Sequence, residues 1–173
     1  MVADARMRLL VVDDSDDAAT TMAFILERFG HEALVATSGE TALEKAPAFH
    51  PDAMFIDLSM PQLDGLGVAR RLRAMADFCS TPLVAVSGHT DDERRTAALA
   101  AGFDEFLTKP YPLAELLGTL TRIWPRISQA RERAALARQA GEQTRRLNAE
   151  SRRMLAEFSK GRRGAQPATV SVE

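Results

Sequence analysis

Three stretches of this chain, Leu9–Val12, Ala53–Ile56 and Leu83–Val86, are apolar without interruption. A strand with one wet face alternates polar and apolar residues. Unbroken runs of this length instead suit strands buried on both faces, as in a parallel sheet covered by helices. Two weaker runs, within Glu32–Thr37 and Glu105–Thr108, predict two more strands of the same kind. Between the runs the period changes to that of a helix. Met22, Ile25, Leu26 and Phe29 recur at three- and four-residue steps, and Gly30 follows as a stop. Ser38 opens a second helical segment, and Leu66, Ala69, Leu72 and Met75 form the stripe of a third. A fourth ends at Gly102, and Pro112 suits the first turn of a fifth. Strand and helix thus alternate five times. That order implies right-handed crossovers and a doubly wound α/β sheet with helices on both faces.

In such a sheet, chemistry gathers at the carboxyl ends of the strands. Asp13 and Asp14 follow the first run, Asp57 the third and Ser87 the fourth, and Lys109 follows the fifth, just before Pro110. Three carboxylates converging on one edge need a counter-charge. Hard oxygen donors with open positions suit Mg²⁺, and Lys109 adds a second positive charge. Such a site neutralises and positions a phosphoryl group. No glycine-rich nucleotide loop, nucleophile elbow or HExxH zinc motif is present, and His31, His50 and His89 are scattered. The remaining nucleophile is a carboxylate, and Asp57, between the acidic pair and Ser87, is the best placed. Asp16 and Asp17 read differently, as charges at a helix N-terminus with one of them a cap. Asp64 and Gly65 read as a turn and helix start.

The segments "VVDDS", "FIDLSMPQLDG", "VAVSGHT" and "FLTKPY" together resemble the receiver domain of two-component response regulators, over roughly residues 7–124. The resemblance implies a flavodoxin-like sheet of strand order 2-1-3-4-5. It implies transfer of a phosphoryl group to Asp57 from a histidine kinase or histidine phosphotransfer protein, a phosphoacceptor role rather than that of a turnover enzyme. It implies Mg²⁺ held by Asp13, Asp14, Asp57 and the backbone carbonyl of Ser59, with Ser87 and Lys109 on the phosphoryl oxygens. A cis Lys109–Pro110 bond belongs to the same pattern. Ser87 and Phe106 match the positions that switch on phosphorylation, although Phe106 also suits a fixed core aromatic. Ser59 and His89 match the positions that tune phosphoryl lifetime. A phosphatase of the dehalogenase type would place a second acid two residues after the nucleophile, where this chain has Ser59.

Composition separates two parts. Residues 1–125 hold 11 basic and 19 acidic residues, and residues 126–173 hold 11 basic and 5 acidic. The expected division is a receiver over 1–124, a basic helical extension over 125–160 and a disordered end over 161–173. Pro125 suits a helix start, and the extension is either one continuous helix or two pieces divided at Gly141. Leu136, Ala140, Leu147, Met154 and Phe158 make a thin stripe for a dimerising, docking or partner-connecting helix. Output is expected through contact with an unidentified protein, or through a homodimer formed by this helix or by the face between the fourth and fifth helices. Gated by the receiver, the tail itself is the alternative effector. Nucleic-acid binding is not expected, because the arginines are spread around the helix and no helix-turn-helix appears. Cys79 is the sole cysteine and no apolar stretch reaches membrane-spanning length, so a cytoplasmic protein without membrane insertion is expected.

Overall fold

The computed structural model describes residues 6–88 and 91–163, with side chains as far as Ala156. The elements alternate as β1 (Arg8–Val12), α1 (Asp16–Arg28), β2 (Glu32–Ala36), α2 (Gly39–Phe49) and β3 (Ala53–Asp57). They continue as α3 (Gly65–Ala74), β4 (Leu83–Ser87), α4 (Asp92–Ala101), β5 (Glu105–Thr108) and α5 (Leu113–Arg163). All neighbouring strands pair in parallel, in the order β2-β1-β3-β4-β5. This is the doubly wound, flavodoxin-like sheet expected.

The unbroken apolar runs feed two cores by strict alternation. Leu10, Val12, Met54, Ile56, Leu83 and Ala85 face one side, where Val68, Leu72 and Ala98 bring in α3 and α4. Leu9, Val11, Phe55, Val84, Val86 and Leu107 face the other, against Met22 and Leu26 of α1 and Leu116, Leu120 and Ile123 of α5. Helix starts follow local chemistry. Ser15, Ser38, Asp64 and Asp91 each accept a hydrogen bond from the backbone N–H three residues on. The cap of α1 is therefore Ser15, and Asp16 and Asp17 lie in its first turn. Pro112 sits just before α5, its carbonyl accepting from the Leu116 N–H.

At the amino edge of the sheet, Arg73 of α3 is a clasp with no counterpart among the sequence motifs. Its Nε and Nη2 donate to the Gly102 carbonyl at 2.9 and 2.7 Å, and Nη1 donates to the carbonyls of Phe78 and Thr81 at 2.9 and 2.7 Å. Nη2 also bonds Asp104 Oδ2 at 2.8 Å. The same Asp104 oxygen accepts from the Leu83 N–H, and its other oxygen pairs with Arg126. One guanidinium thus joins α3, the 75–82 connection, the end of α4 and the start of β5. Gly102 ends α4 at φ +102°, and a Cβ there would lie 2.8 Å from Arg73 Cγ.

The last helix does not start at Pro125, where a start was expected. It passes through Pro125 and Gly141 without a break. Ile123 and Ile127 are both buried, one on each side of Pro125. Their burial offsets the cost of about 3 kcal/mol for an interior proline. One compact unit runs to Ala130. Gly141 costs only about 1 kcal/mol relative to alanine, too little to interrupt a helix alone. In the second unit, from Arg131, the apolar Leu136, Leu147, Met154 and Leu155 are exposed. Helix extends to Arg163, and the rest of the end expected to be disordered lies outside the described residues. No helix among the described residues is long and apolar enough to cross a membrane.

Candidate functional site

Ladder hydrogen bonds continue past the strands and hold their carboxyl ends in register. The Asp13 N–H donates to the Ala36 carbonyl at 3.1 Å, Leu58 N–H to Val86 at 3.0 Å and Lys109 N–H to Ser87 at 2.7 Å. Asp13, Asp57 and Lys109 keep the parity of Leu9 and Val11, of Phe55 and of Leu107, so the three side chains emerge on the same side of the sheet. There Lys109 Nζ lies 2.5 Å from Asp13 Oδ2 and 3.1 Å from Asp57 Oδ2. The other carboxylate oxygens accept backbone bonds, Asp13 Oδ1 from Ser15 N–H at 3.0 Å and Asp57 Oδ1 from Ser59 N–H at 3.1 Å. Asp13 and Asp57 are buried, whereas Asp14 is exposed. Carboxylate oxygens of all three lie within 4.8 Å of one another. Consecutive in sequence, the acidic pair thus divides into an inner and an outer carboxylate.

Burial acts to lower the pKa of Lys109, but hydrogen bonds to Asp13 and Asp57 and the charges of both outweigh it, so the ammonium titrates above its ordinary 10.5. The native state therefore binds the Lys109 proton more tightly than the unfolded chain does. The resulting stability is complete below about pH 10.5 and is lost as pH rises through the higher native value. Denaturant midpoints measured from pH 8 to 11.5 should fall at the alkaline end, and Lys109→Met should flatten that fall.

Ser87 is fully buried at the end of β4 and pairs in register with Thr108. Lys109–Pro110 is cis, as expected. Phe106 is half-buried against the α3–α4 side of the core, with the Arg95 guanidinium 5.7 Å from its ring centre. Ser59 is exposed beside Asp57, and its Oγ accepts from Arg94 Nη1 at 3.1 Å. His89 lies outside the described residues.

Gly65 has a second role that the turn reading missed. A Cβ there would stand 2.3 Å from the Asp57 carbonyl oxygen and 2.9 Å from Leu58 Cα. The start of α3 is thus pressed onto the backbone that carries Asp57. Gly65→Ala should force β3 and α3 apart, lowering stability by about 1–3 kcal/mol. Chemical denaturation would measure the loss, and chemical-shift changes should centre on residues 57–59.

The donor set suits a hard divalent cation. Three carboxylates supply oxygens, one of them solvent-facing, and the ammonium of Lys109 already draws two of them together.

The response regulator receiver domain family matches residues 9–121, about two-thirds of the chain. This chain belongs to that family. The receiver is 40% identical over 110 residues to the transcriptional regulatory protein PrrA of Mycobacterium tuberculosis, covering 64% of this chain and 46% of that protein. It is 37% identical over 114 residues to the response regulator MprA of Mycobacterium avium, covering 66% and 49%. The chain thus spans about half the length of the curated relatives it matches. Among solved structures, the chemotaxis protein CheY4 of Vibrio cholerae superposes with a TM-score of 0.67 at 29% identity, over 69% of this chain and 99% of that one. The receiver domain of the sensor histidine kinase PA1611 of Pseudomonas aeruginosa, solved with magnesium coordinated in its active site cleft, gives 0.63 at 29% identity, over 68% and 97%. Receivers of this family are signalling phosphoacceptors of bacterial two-component systems, act with histidine kinases or phosphotransfer proteins, and bind Mg²⁺ at an acidic pocket.

Proposed function

We propose that the receiver accepts a phosphoryl group on Asp57 from a phosphohistidine donor. The observation that carries this reading is the Lys109 ammonium bonded to both Asp13 and Asp57, at the ends of three different strands. In the transfer, a carboxylate oxygen of Asp57 attacks phosphorus. The O–P bond forms as the P–N bond to the donor imidazole breaks, and the bonding pair stays on that nitrogen. Asp13, Asp14, Asp57 and the Ser59 carbonyl would hold Mg²⁺, which supplies positive charge opposite the phosphoryl oxygens. Lys109 keeps its proton throughout and exchanges a carboxylate partner for a phosphoryl oxygen. Ser87, buried at the neighbouring strand end, bonds another. Movement of Ser87 toward the phosphoryl group opens room for Phe106, whose half-buried ring leaves it free to repack.

The full chain incubated with Mg²⁺ and acetyl phosphate should gain one phosphoryl group by intact mass, and chelation of the metal should prevent it. No gain at any Mg²⁺ concentration overturns the reading.

Output is proposed to run through protein contact. The exposed Leu136, Leu147, Met154 and Leu155 on an uninterrupted helix support a tail that docks or dimerises once the receiver is phosphorylated. The expectation that set nucleic acid aside has no support from the relatives, since PrrA is named a transcriptional regulatory protein. A DNA-directed output is therefore the second reading, and no DNA-binding domain is evident among the described residues. Capture experiments with phosphorylated and unphosphorylated chain, against protein and against DNA, separate the two.

A further inference from the structure

The mouth of the site has a wall that the strand-end residues do not supply. Arg94, in the first turn of α4, reaches across to the loop after β3 and donates from Nη1 to Ser59 Oγ at 3.1 Å. Ser59 in turn donates its backbone N–H to Asp57 Oδ1. The guanidinium therefore lies two links from the carboxylate that would carry the phosphoryl group. Its hold there is weak. A neutral hydroxyl is one partner, and Asp91 Oδ2 stands at 4.0 Å from Nε, the limit of an ion pair. Arg94 also lines a groove of about 350 Å³ together with Ser59, Met60, Asp64, Leu66 and Ala97, and no ion pair joins it to Asp64. The guanidinium is therefore not packed into the core. A fork of five donors with few strong partners thus stands beside a site about to gain an anion.

We propose that Arg94 is a phosphoryl-binding residue that leaves Ser59 when Asp57 is phosphorylated and caps the group against water. The inference rests on the phosphoacceptor reading of Asp57. Phosphorylation adds a group of roughly −1.5 to −2 charge with three acceptor oxygens. A phosphoryl oxygen adds an ion-pair attraction and a fork geometry that the neutral Ser59 hydroxyl does not offer, so the guanidinium transfers. Hydrolysis needs a water in line with the Asp57–phosphorus bond. In a loose transition state the oxygens carry charge much as they do in the ground state, so an extra cation favours both states similarly. Occupying the path of the water is then the larger effect, and Arg94 lengthens the life of the phosphoryl group.

The test uses the full chain labelled with acetyl phosphate, freed of donor and followed by intact mass. Arg94→Ala should shorten the half-life of the label about five- to tenfold, and Arg94→Lys should restore part of it. Arg71→Ala, which removes an exposed arginine from α3, should leave the half-life unchanged. Affinity for beryllofluoride with Mg²⁺, measured by calorimetry, should weaken about fivefold in Arg94→Ala while its melting temperature holds. A half-life in Arg94→Ala equal to or longer than the parent's overturns the inference and leaves the phosphoacceptor reading intact. A parent chain that never takes up label overturns both.

Discussion

Asp57→Asn is expected to bring phosphoryl incorporation from acetyl phosphate and Mg²⁺ down to background, at least about a thousandfold below the parent. The amide keeps the size of the carboxylate and one oxygen to accept from the Ser59 N–H, and Lys109 keeps its bond to Asp13. It lacks the charged nucleophile. Both the fold and Lys109 should therefore survive the change, so the loss reports on chemistry. Melting temperature within a few degrees of the parent is the control. Label persisting on Asp57→Asn would place the acceptor elsewhere, and the exposed Asp14 would become the next residue to test.

The second large effect is on stability, at the opposite edge of the sheet. Arg73→Ala is expected to cost about 3–4 kcal/mol, because four main-chain carbonyls and a mostly buried carboxylate lose their donor together. Asp104 would keep Arg126 and the Leu83 N–H, which limits the loss. For a unit of this size the melting temperature should fall by roughly 10 °C. Arg73→Lys retains the charge but not the fork, and it should recover less than half of the difference. A fall below about 1 kcal/mol for Arg73→Ala would show that the clasp is redundant with the α3–β4 packing.

The two predictions divide along the line between what was readable and what was not. Alternation of runs such as Leu9–Val12 and Leu83–Val86 with helical stripes already required a buried parallel sheet. A side-chain period of two then leaves no freedom about which residues stand at strand ends. Asp13, Asp57, Ser87 and Lys109 were legible for that reason. Helix starts were legible to within a residue or two, since Ser15 takes the cap expected of one of the adjoining aspartates.

The C-terminal helix was less legible. Proline and glycine signal breaks through local backbone cost, yet a helix pinned by Ile123 and Ile127 bears that cost, and sequence does not reveal the pinning. Arg73 was invisible for a related reason. Its acceptors are mostly main-chain carbonyls, which every residue possesses and no motif records.

By itself, then, the sequence determined the strand order of events along the chain and the acidic, cationic and hydroxyl groups available to one edge. Tertiary structure alone decided how those groups share the work. Register and side-chain parity turn Asp13 inward against Lys109 and leave Asp14 in solvent. Close packing presses Gly65 onto the backbone of Asp57, and the placement of α4 brings Arg94 to Ser59. Each depends on distances between residues far apart in the chain, and those are set only when the helices pack on the sheet.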